Sequence, residues 1–208
     1  AIETTKRLFG VTNADIFPAT DEQTHLSATT RDGRRIFTET TLDVGAYAKP
    51  HELKKIHVRP TNPKVNNKVI QSLLEADVII SGPGDLYTNQ LPVLVIPQIK
   101  KAFLESKAKK IFILNIANKP FETKGYALID FVQAIIDHIG SFPFTKIIAN
   151  NNFTLPIPNK FHYTYVSLGT AAAQKAIPAE IIKSDLVSHN FALHHDPDKL
   201  VKAIEKYF

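Results

Sequence analysis

The sequence has no cysteine, no methionine and no tryptophan, and only eight glycines in 208 residues. Without cysteine there are no disulfides, no thiolate metal sites and no cysteine nucleophile. Cytoplasmic placement fits that composition, although a lack of cysteine suits any compartment. The absence of methionine, the initiator included, points to a missing N-terminal segment, an engineered composition or residues left out of the record. No apolar run approaches the roughly 18 residues that mark a membrane span. Ile2 to Phe9 mixes acidic, basic and apolar residues, unlike a signal peptide. No Ser/His/Asp order or nucleophile elbow supports a hydrolase triad. Neither Gly-x-Gly-x-x-Gly nor a Walker loop is present. There is no internal repeat, no low-complexity segment and no credible domain boundary, so residues 1–208 read as one domain.

What is present is ordinary for a globular protein: 44% hydrophobic and 22% charged residues. The net charge of +5 favours acidic small ligands; the basic pairs are scattered and no aromatic-interleaved basic motif of an RNA-binding type appears, so no nucleic-acid partner is expected. These pairs are Arg34-Arg35, Lys54-Lys55, Lys100-Lys101 and Lys109-Lys110. Homo-oligomerisation is left open by the sequence.

Hydrophobic periodicity predicts an α/β fold. Ile2 to Phe9 reads as a helix stopped by Gly10. Thr24–Thr30 and Arg34–Thr40 flank Arg31-Asp32-Gly33 as a β-hairpin, an excursion over residues 20–45. Thr41 to His51 reads as a loop and Lys54–Arg59 as a strand. Asn62 and Pro63 read as the cap and first residue of a helix carrying Val65, Val69, Ile70, Leu73 and Leu74. Buried strands follow at Val78–Ile80, Lys110–Asn115 and Lys146–Ala149, separated by helices at Pro97–Ser106 and Tyr126–Ile139. This alternation predicts a Rossmann-like parallel sheet flanked by helices, with right-handed crossovers. Tyr163–Val166 and Glu180–Lys183 are short strand candidates. Asp196-Pro197 caps a last helix, Asp198–Tyr207, with Leu200, Val201 and Ile204 inward.

Ligands of an open parallel sheet bind beyond the carboxyl ends of its strands. The first such end carries Ser81, Gly82, Pro83, Gly84, Asp85, Leu86, Tyr87 and Thr88. Glycines there let a backbone approach a phosphate closely, and free N–H groups favour an anion; a plain tight connection has the same composition. The second end runs from Asn115 to Tyr126 and offers Glu122, Thr123 and Gly125. The third carries Asn150 to Asn152. All three are rich in amides, hydroxyls and glycine. Asp85 and Asp130 are the candidate catalytic acids or divalent-ion ligands, each equally explained as a helix-start acid. Glu122 and Thr123 have plain readings too, as a solvated charge and an N-cap. His194-His195-Asp196 does not read as a metal cluster, since adjacent side chains point apart and Asp196 caps a helix. No metal site is assigned.

Gly82-Pro83-Gly84-Asp85-Leu86-Tyr87-Thr88 with Leu91-Pro92, then Asn115, Pro120 to Tyr126 and Asp130, resembles the CofD-like superfamily. Within it the wording is similar to the YvcK branch, the gluconeogenesis factors. Pro18-Ala19-Thr20, the Asp32-Gly33 turn, Glu75-Ala76-Asp77, and His195-Asp196 with Lys199-Leu200 support the resemblance, which spans nearly the whole chain. It implies a Rossmann-like fold and a phosphorylated ligand. For the YvcK branch that ligand is UDP-N-acetylglucosamine, with a role in gluconeogenic growth and cell shape. For the CofD branch it implies a 2-phospho-L-lactate transferase, a reading under which Mg²⁺ would be the cofactor. Relatives open with a glycine-rich nucleotide-binding turn that nothing here matches. Asn118, Lys119, Phe121 and Lys124 stand where they usually carry Thr, Gln, Gly and an acid, and Phe131 where they carry His. Lys119 and Lys124 add charge that suits a phosphate; Phe121 puts the local loop geometry in question.

Overall fold

A computed structural model of the chain describes residues 2–10, 12–45 and 50–208. In chain order the elements are α1 (Ile2–Leu8), β1 (His25–Thr30), β2 (Arg35–Phe37), α2 (Glu39–Val44), β3 (Leu53–Arg59), α3 (Asn67–Glu75) and β4 (Val78–Ser81). A π-helical turn, Leu86–Gln90, leads into α4 (Leu91–Leu94) and α5 (Pro97–Glu105). Then come β5 (Lys109–Ile113), β6 (Ala117–Asn118), α6 (Leu128–Ile139), β7 (Lys146–Asn150), β8 (Thr164–Tyr165), α7 (Ala171–Lys175), β9 (Glu180–Ser184) and α8 (Pro197–Ile204).

The main sheet is parallel, in the order β4-β5-β7-β9. Its central strands are runs of β-branched and aromatic residues because helices cover both faces. Ile111, Phe112, Ile147 and Ile148 are all fully buried. On one face α6 presents Leu128, Phe131, Val132, Ile135 and Ile139, a helical stripe that closes the larger core with Phe103, Phe142 and Phe144. On the other face Leu186, Val187 and Ala203 complete a second core around Ile111, Ile113 and Ile148. Because all four strands run parallel, the loops at the carboxyl ends of β4, β5 and β7 open at the same edge of the sheet. Among the described residues no helix is long and apolar enough to cross a membrane.

The predicted hairpin is part of a larger unit. β1 pairs antiparallel with β2 on one side and with β3 on the other, giving the order β2-β1-β3. Its inner residues Ala28, Ile36 and Ile56 join the main core. His138 of α6 locks the two units together: its Nδ1–H donates to the Ala134 carbonyl (2.6 Å), and its Nε2 accepts from the Ile56 amide (3.0 Å). Nε2 can accept only while the ring is neutral, and burial lowers the His138 pKa accordingly.

Several predicted boundaries move. The first half of the predicted loop 41–51 is helical, as α2, capped by Thr38; residues 46–49 lie outside the described set. The helix expected from Asn62 begins one turn later, where Asn66 Oδ1 accepts from the Lys68 amide (3.0 Å). Val65 is held instead in a β-bridge to Thr20 and is buried there. Leu74 and Val201, both expected inward, are exposed, and Ala203 takes the inward position in α8. Helical structure after β4 begins at Leu86, ahead of the helix predicted from Pro97.

Candidate functional site

The first crest loop, Gly82 to Asp85, is tied down by side chains rather than by its own turn. Asn115 bonds both sides of Gly84: its Nδ2 donates to the carbonyl (3.0 Å) and its Oδ1 accepts from the amide (3.4 Å). Gln90 Nε2 donates to the same carbonyl (2.8 Å). The wide turn that follows bonds the Gln90 amide back to the Asp85 carbonyl (3.0 Å). Such π-type turns recur at functional sites. Neither Gly82 nor Gly84 has a left-handed backbone, so their value is in access. A Cβ on Gly82 would meet nothing within 4 Å, and one on Gly84 only ordinary neighbours.

The second loop folds beneath the first. Glu122 is buried; its Oε2 accepts from the Tyr87 amide (3.0 Å) and its Oε1 from the Thr88 hydroxyl (2.7 Å). Burial, and after it the nearby Asp85, raise its pKa to about 7 against the lowering by the Thr88 and Tyr87 bonds and by Lys119. Thr123 Oγ1 accepts from the Lys119 amide (3.2 Å). The hydroxyls of Tyr87 and Tyr126 meet at 2.7 Å, and His51 stacks on Tyr126 at 4.7 Å. Gly125 has φ +76°, and a Cβ there would press on Pro50 at 3.4 Å. Phe121 is accommodated by a second glycine: at Gly45, also left-handed, any Cβ would overlap the Phe121 ring.

Lys119 joins the loops electrostatically. Its ammonium donates to Asp85 Oδ2 (2.6 Å) and to Asp43. Burial would lower its pKa, but the two carboxylates raise it overall. Asp43, Asp85 and Glu122 have ligand oxygens within 4.8 Å of one another. With Lys119 bonded to two of them, the cation position between those carboxylates is filled by the protein itself. A divalent ion would have to displace the ammonium, so this donor set does not fit resident Mg²⁺.

Two cavities open beside this cluster. One, of about 440 Å³, is bounded by Pro83, Gly84, Asp85, Asn115, Lys119 and Tyr163, with His194 and His195 at its far wall. The other, of about 860 Å³, runs past Lys119, Phe121, Lys124, Lys160, Phe161 and Tyr163. Lys119 and Tyr163 line both, so the cavities adjoin. The short antiparallel ladder of β6 with β8 carries residues 159–164 over the second loop and forms the roof.

The predicted site residues therefore divide. Pro83, Gly84, Asp85 and Asn115 line the smaller cavity. Leu86, Tyr87, Thr88, Glu122, Thr123 and Tyr126 are buried beneath it, and Gly82 and Gly125 line neither cavity. Asp130 Oδ2 accepts from the Ala127 amide (2.7 Å), and its Oδ1 lies 3.7 Å from His51 Nδ1, so it is engaged at the start of α6. Asn150 is buried; its Oδ1 accepts from the Leu186 amide (3.0 Å) and its Nδ2 donates to the Asn152 carbonyl (2.6 Å), which braces the third loop. His195 Nε2–H donates to the Leu114 carbonyl (3.1 Å), and burial lowers its pKa. Asp43, Lys160, Phe161 and Tyr163 did not emerge from the sequence as site residues. The run Lys160-Phe161-His162-Tyr163 carried a basic-aromatic signal; Asp43 carried none.

A family model described as 2-phospho-L-lactate transferase CofD matches residues 1–205. The Bacillus subtilis protein named gluconeogenesis factor is 29% identical over 196 residues, 91% of this chain and 60% of that protein. A relative from Deinococcus radiodurans is 28% identical over 190 residues, 91% of this chain and 40% of its own length. A solved structure of a UPF0052 family member from Bacillus halodurans superposes with a TM-score of 0.84 at 26% identity, covering 98% of this chain and 64% of that one. The chain thus spans 40–64% of the length of these relatives.

Proposed function

We propose, from the premise that this chain belongs to the CofD family and sides with its gluconeogenesis factors, that it binds a nucleotide-sugar of the UDP-N-acetylglucosamine type, or a related phosphorylated metabolite. The observation that carries the reading is the pair of adjoining cavities at the carboxyl ends of β4 and β5. The smaller is bordered by Lys119, whose ammonium keeps a third N–H for a phosphate oxygen, and by Gly84, whose missing side chain lets a ligand come close. The larger is flanked by Phe161, Tyr163, Lys124 and Lys160, flat and basic surfaces that suit a ring bearing polar substituents. The role is regulatory, in carbon metabolism and cell shape, as the gluconeogenesis-factor resemblance implies, and the site lies in a cytoplasmic protein.

The test is a thermal-shift panel of UDP-N-acetylglucosamine, GDP and inorganic phosphate. A ligand at 100 times its dissociation constant stabilises the fold by about 2.7 kcal/mol. Gly84→Val is expected to remove that response, since its branched side chain projects from the loop that faces the ligand. A variant that responds as the parent does shows that the loop is not the site.

A second reading, transfer of a phosphorus-containing group as in the CofD branch, draws on Glu122. A carboxyl titrating near neutrality beside Asp85 has the acid–base poise a transferase uses. The Lys119 bridge argues against a resident Mg²⁺, and no step is routed through one. Mg²⁺-dependent turnover of a nucleotide-activated substrate would favour this reading; ligand stabilisation without turnover favours the first.

A further inference from the structure

The three-stranded sheet has a second face that nothing among the described helices covers. Its inner face, with Ala28, Ile36 and Ile56, packs into the core. Side chains alternate across a strand, so the partners of those residues point the other way. The register builds the outer face row by row. Thr29 lies between Arg35 and Lys55, Ser27 between Phe37 and His57, and His25 opposite Arg59. Arg35, Lys55, His57 and Arg59 are exposed, and so is Phe37, at 62%.

Three features of this face stand out. It carries no acid at any position in those rows. Among the described residues Arg35, Lys55 and Arg59 form no ion pair, whereas neighbouring Arg34 is bonded to Asp32 and Glu52. The positive field is felt locally: after burial, the causes that lower the His57 pKa are Lys55, Arg35 and Arg59. At the centre, Phe37 and His57 stand on either side of the small Ser27, roughly 10 Å apart by strand spacing. A cavity of about 100 Å³ sits there, bounded by Ser27, Arg35, Phe37, His57, Arg59 and Thr61.

We infer that this face binds single-stranded nucleic acid, with a base stacked on Phe37 beside His57 and the flanking phosphates on Arg35, Lys55 and Arg59. A sheet face offering a ring in the middle and unpaired cations around it matches both parts of such a strand: every base has a π-face, and every linkage a charge. An acidic peptide would be met by the cations alone and leaves the exposed ring without a role. Along the chain these cations look dispersed; the antiparallel register gathers them. The site is separate from the crest cavities and independent of the ligand proposed for them.

The test is fluorescence anisotropy of the full chain with a labelled oligouridylate of about a dozen nucleotides. Binding is expected at low salt, with an affinity that falls between about 50 and 200 mM salt. Phe37→Ala should weaken it by roughly 10-fold with little change in salt dependence, and Phe37→Tyr should restore it. Arg35→Glu and Lys55→Glu should each lower the magnitude of the log–log salt slope by ~0.7. Lys202→Glu, on the far α8, should do neither. Circular dichroism melts keep the comparison among folded variants; if Phe37→Ala does not fold, Phe37→Leu against Phe37→Tyr gives the same contrast. The inference is overturned by no binding at low salt, or by polyglutamate competing equally while Phe37→Ala changes nothing. Capture by phosphatidylserine vesicles without oligonucleotide binding overturns it as well.

Discussion

The two crest loops are built from the same chemical vocabulary and do different work. Each combines glycine, an acid, a threonine and a tyrosine. In the first, Gly82 has open space before it and Gly84 faces a cavity. In the second, Gly125 is walled by Pro50 in a left-handed backbone, and Glu122, Thr123 and Tyr126 are 2–3% exposed. One loop presents its backbone outward; the other holds it there from below, through the bonds of Glu122 to the Tyr87 amide and the Thr88 hydroxyl. Composition identifies a crest, and only burial separates the presenting loop from its support.

Substitutions can break this division of labour. The largest effect is expected at Gly45, whose missing side chain makes room for Phe121. Gly45→Ala combines a left-handed backbone cost with overlap on the ring and should destabilise the fold by about 2–5 kcal/mol in urea unfolding. In a Phe121→Ala background the overlap disappears, so the same change should cost visibly less. Equal costs in both backgrounds would show that the two residues do not share the space.

Next comes Glu122. Its folded pKa of about 7 lies above the ordinary glutamate value of 4.5, so the folded state binds its proton more tightly than the unfolded chain does. Its contribution is complete below about pH 4.5 and is lost as pH rises through 7, to a limit of about 3 kcal/mol. Unfolding midpoints of the parent should therefore fall relative to those of Glu122→Gln between pH 5 and pH 8. Parallel pH profiles would assign Glu122 an ordinary, solvated acidity and remove it as the supporting strut.

The smallest stability effect is expected at Gly84. A backbone that is not left-handed and loose neighbours should hold the cost of Gly84→Val within about 0.5 kcal/mol, even as ligand stabilisation vanishes. A large loss of stability would make the first loop a support like the second.

Most of the scaffold could be read along the chain. Val78–Ile80, the Ile111–Ile113 run and Ile147–Ile148 are apolar on both faces, which only a covered parallel strand requires. The Leu128–Ile139 stripe announces its buried face equally well. Two asparagines compete for the start of α3, and Asn66 prevails because Val65 is drawn into the core beside Thr20, leaving residues 62–65 extended. The crest loops were legible by composition. Their roof was not, since Asp43 and Lys160 to Tyr163 reach the site only through contacts distant in sequence. The bulk of Phe121 made sense only once Gly45 was seen beside it, a complementarity carried by two positions 76 residues apart that neither reveals alone.

Asn115 carries one more consequence. By offering its carboxamide to both the amide and the carbonyl of Gly84, it imitates a peptide unit and extends the β4–β5 ladder by one rung made from a side chain. A backbone rung yields only when the strand frays; this one yields to a single side-chain rotation. The mouth of the smaller cavity can therefore loosen without disturbing the sheet. Hydrogen exchange at the Gly84 amide would report that rotation directly, and in Asn115→Asp, where a carboxylate oxygen confronts the Gly84 carbonyl, the latch should stand ajar.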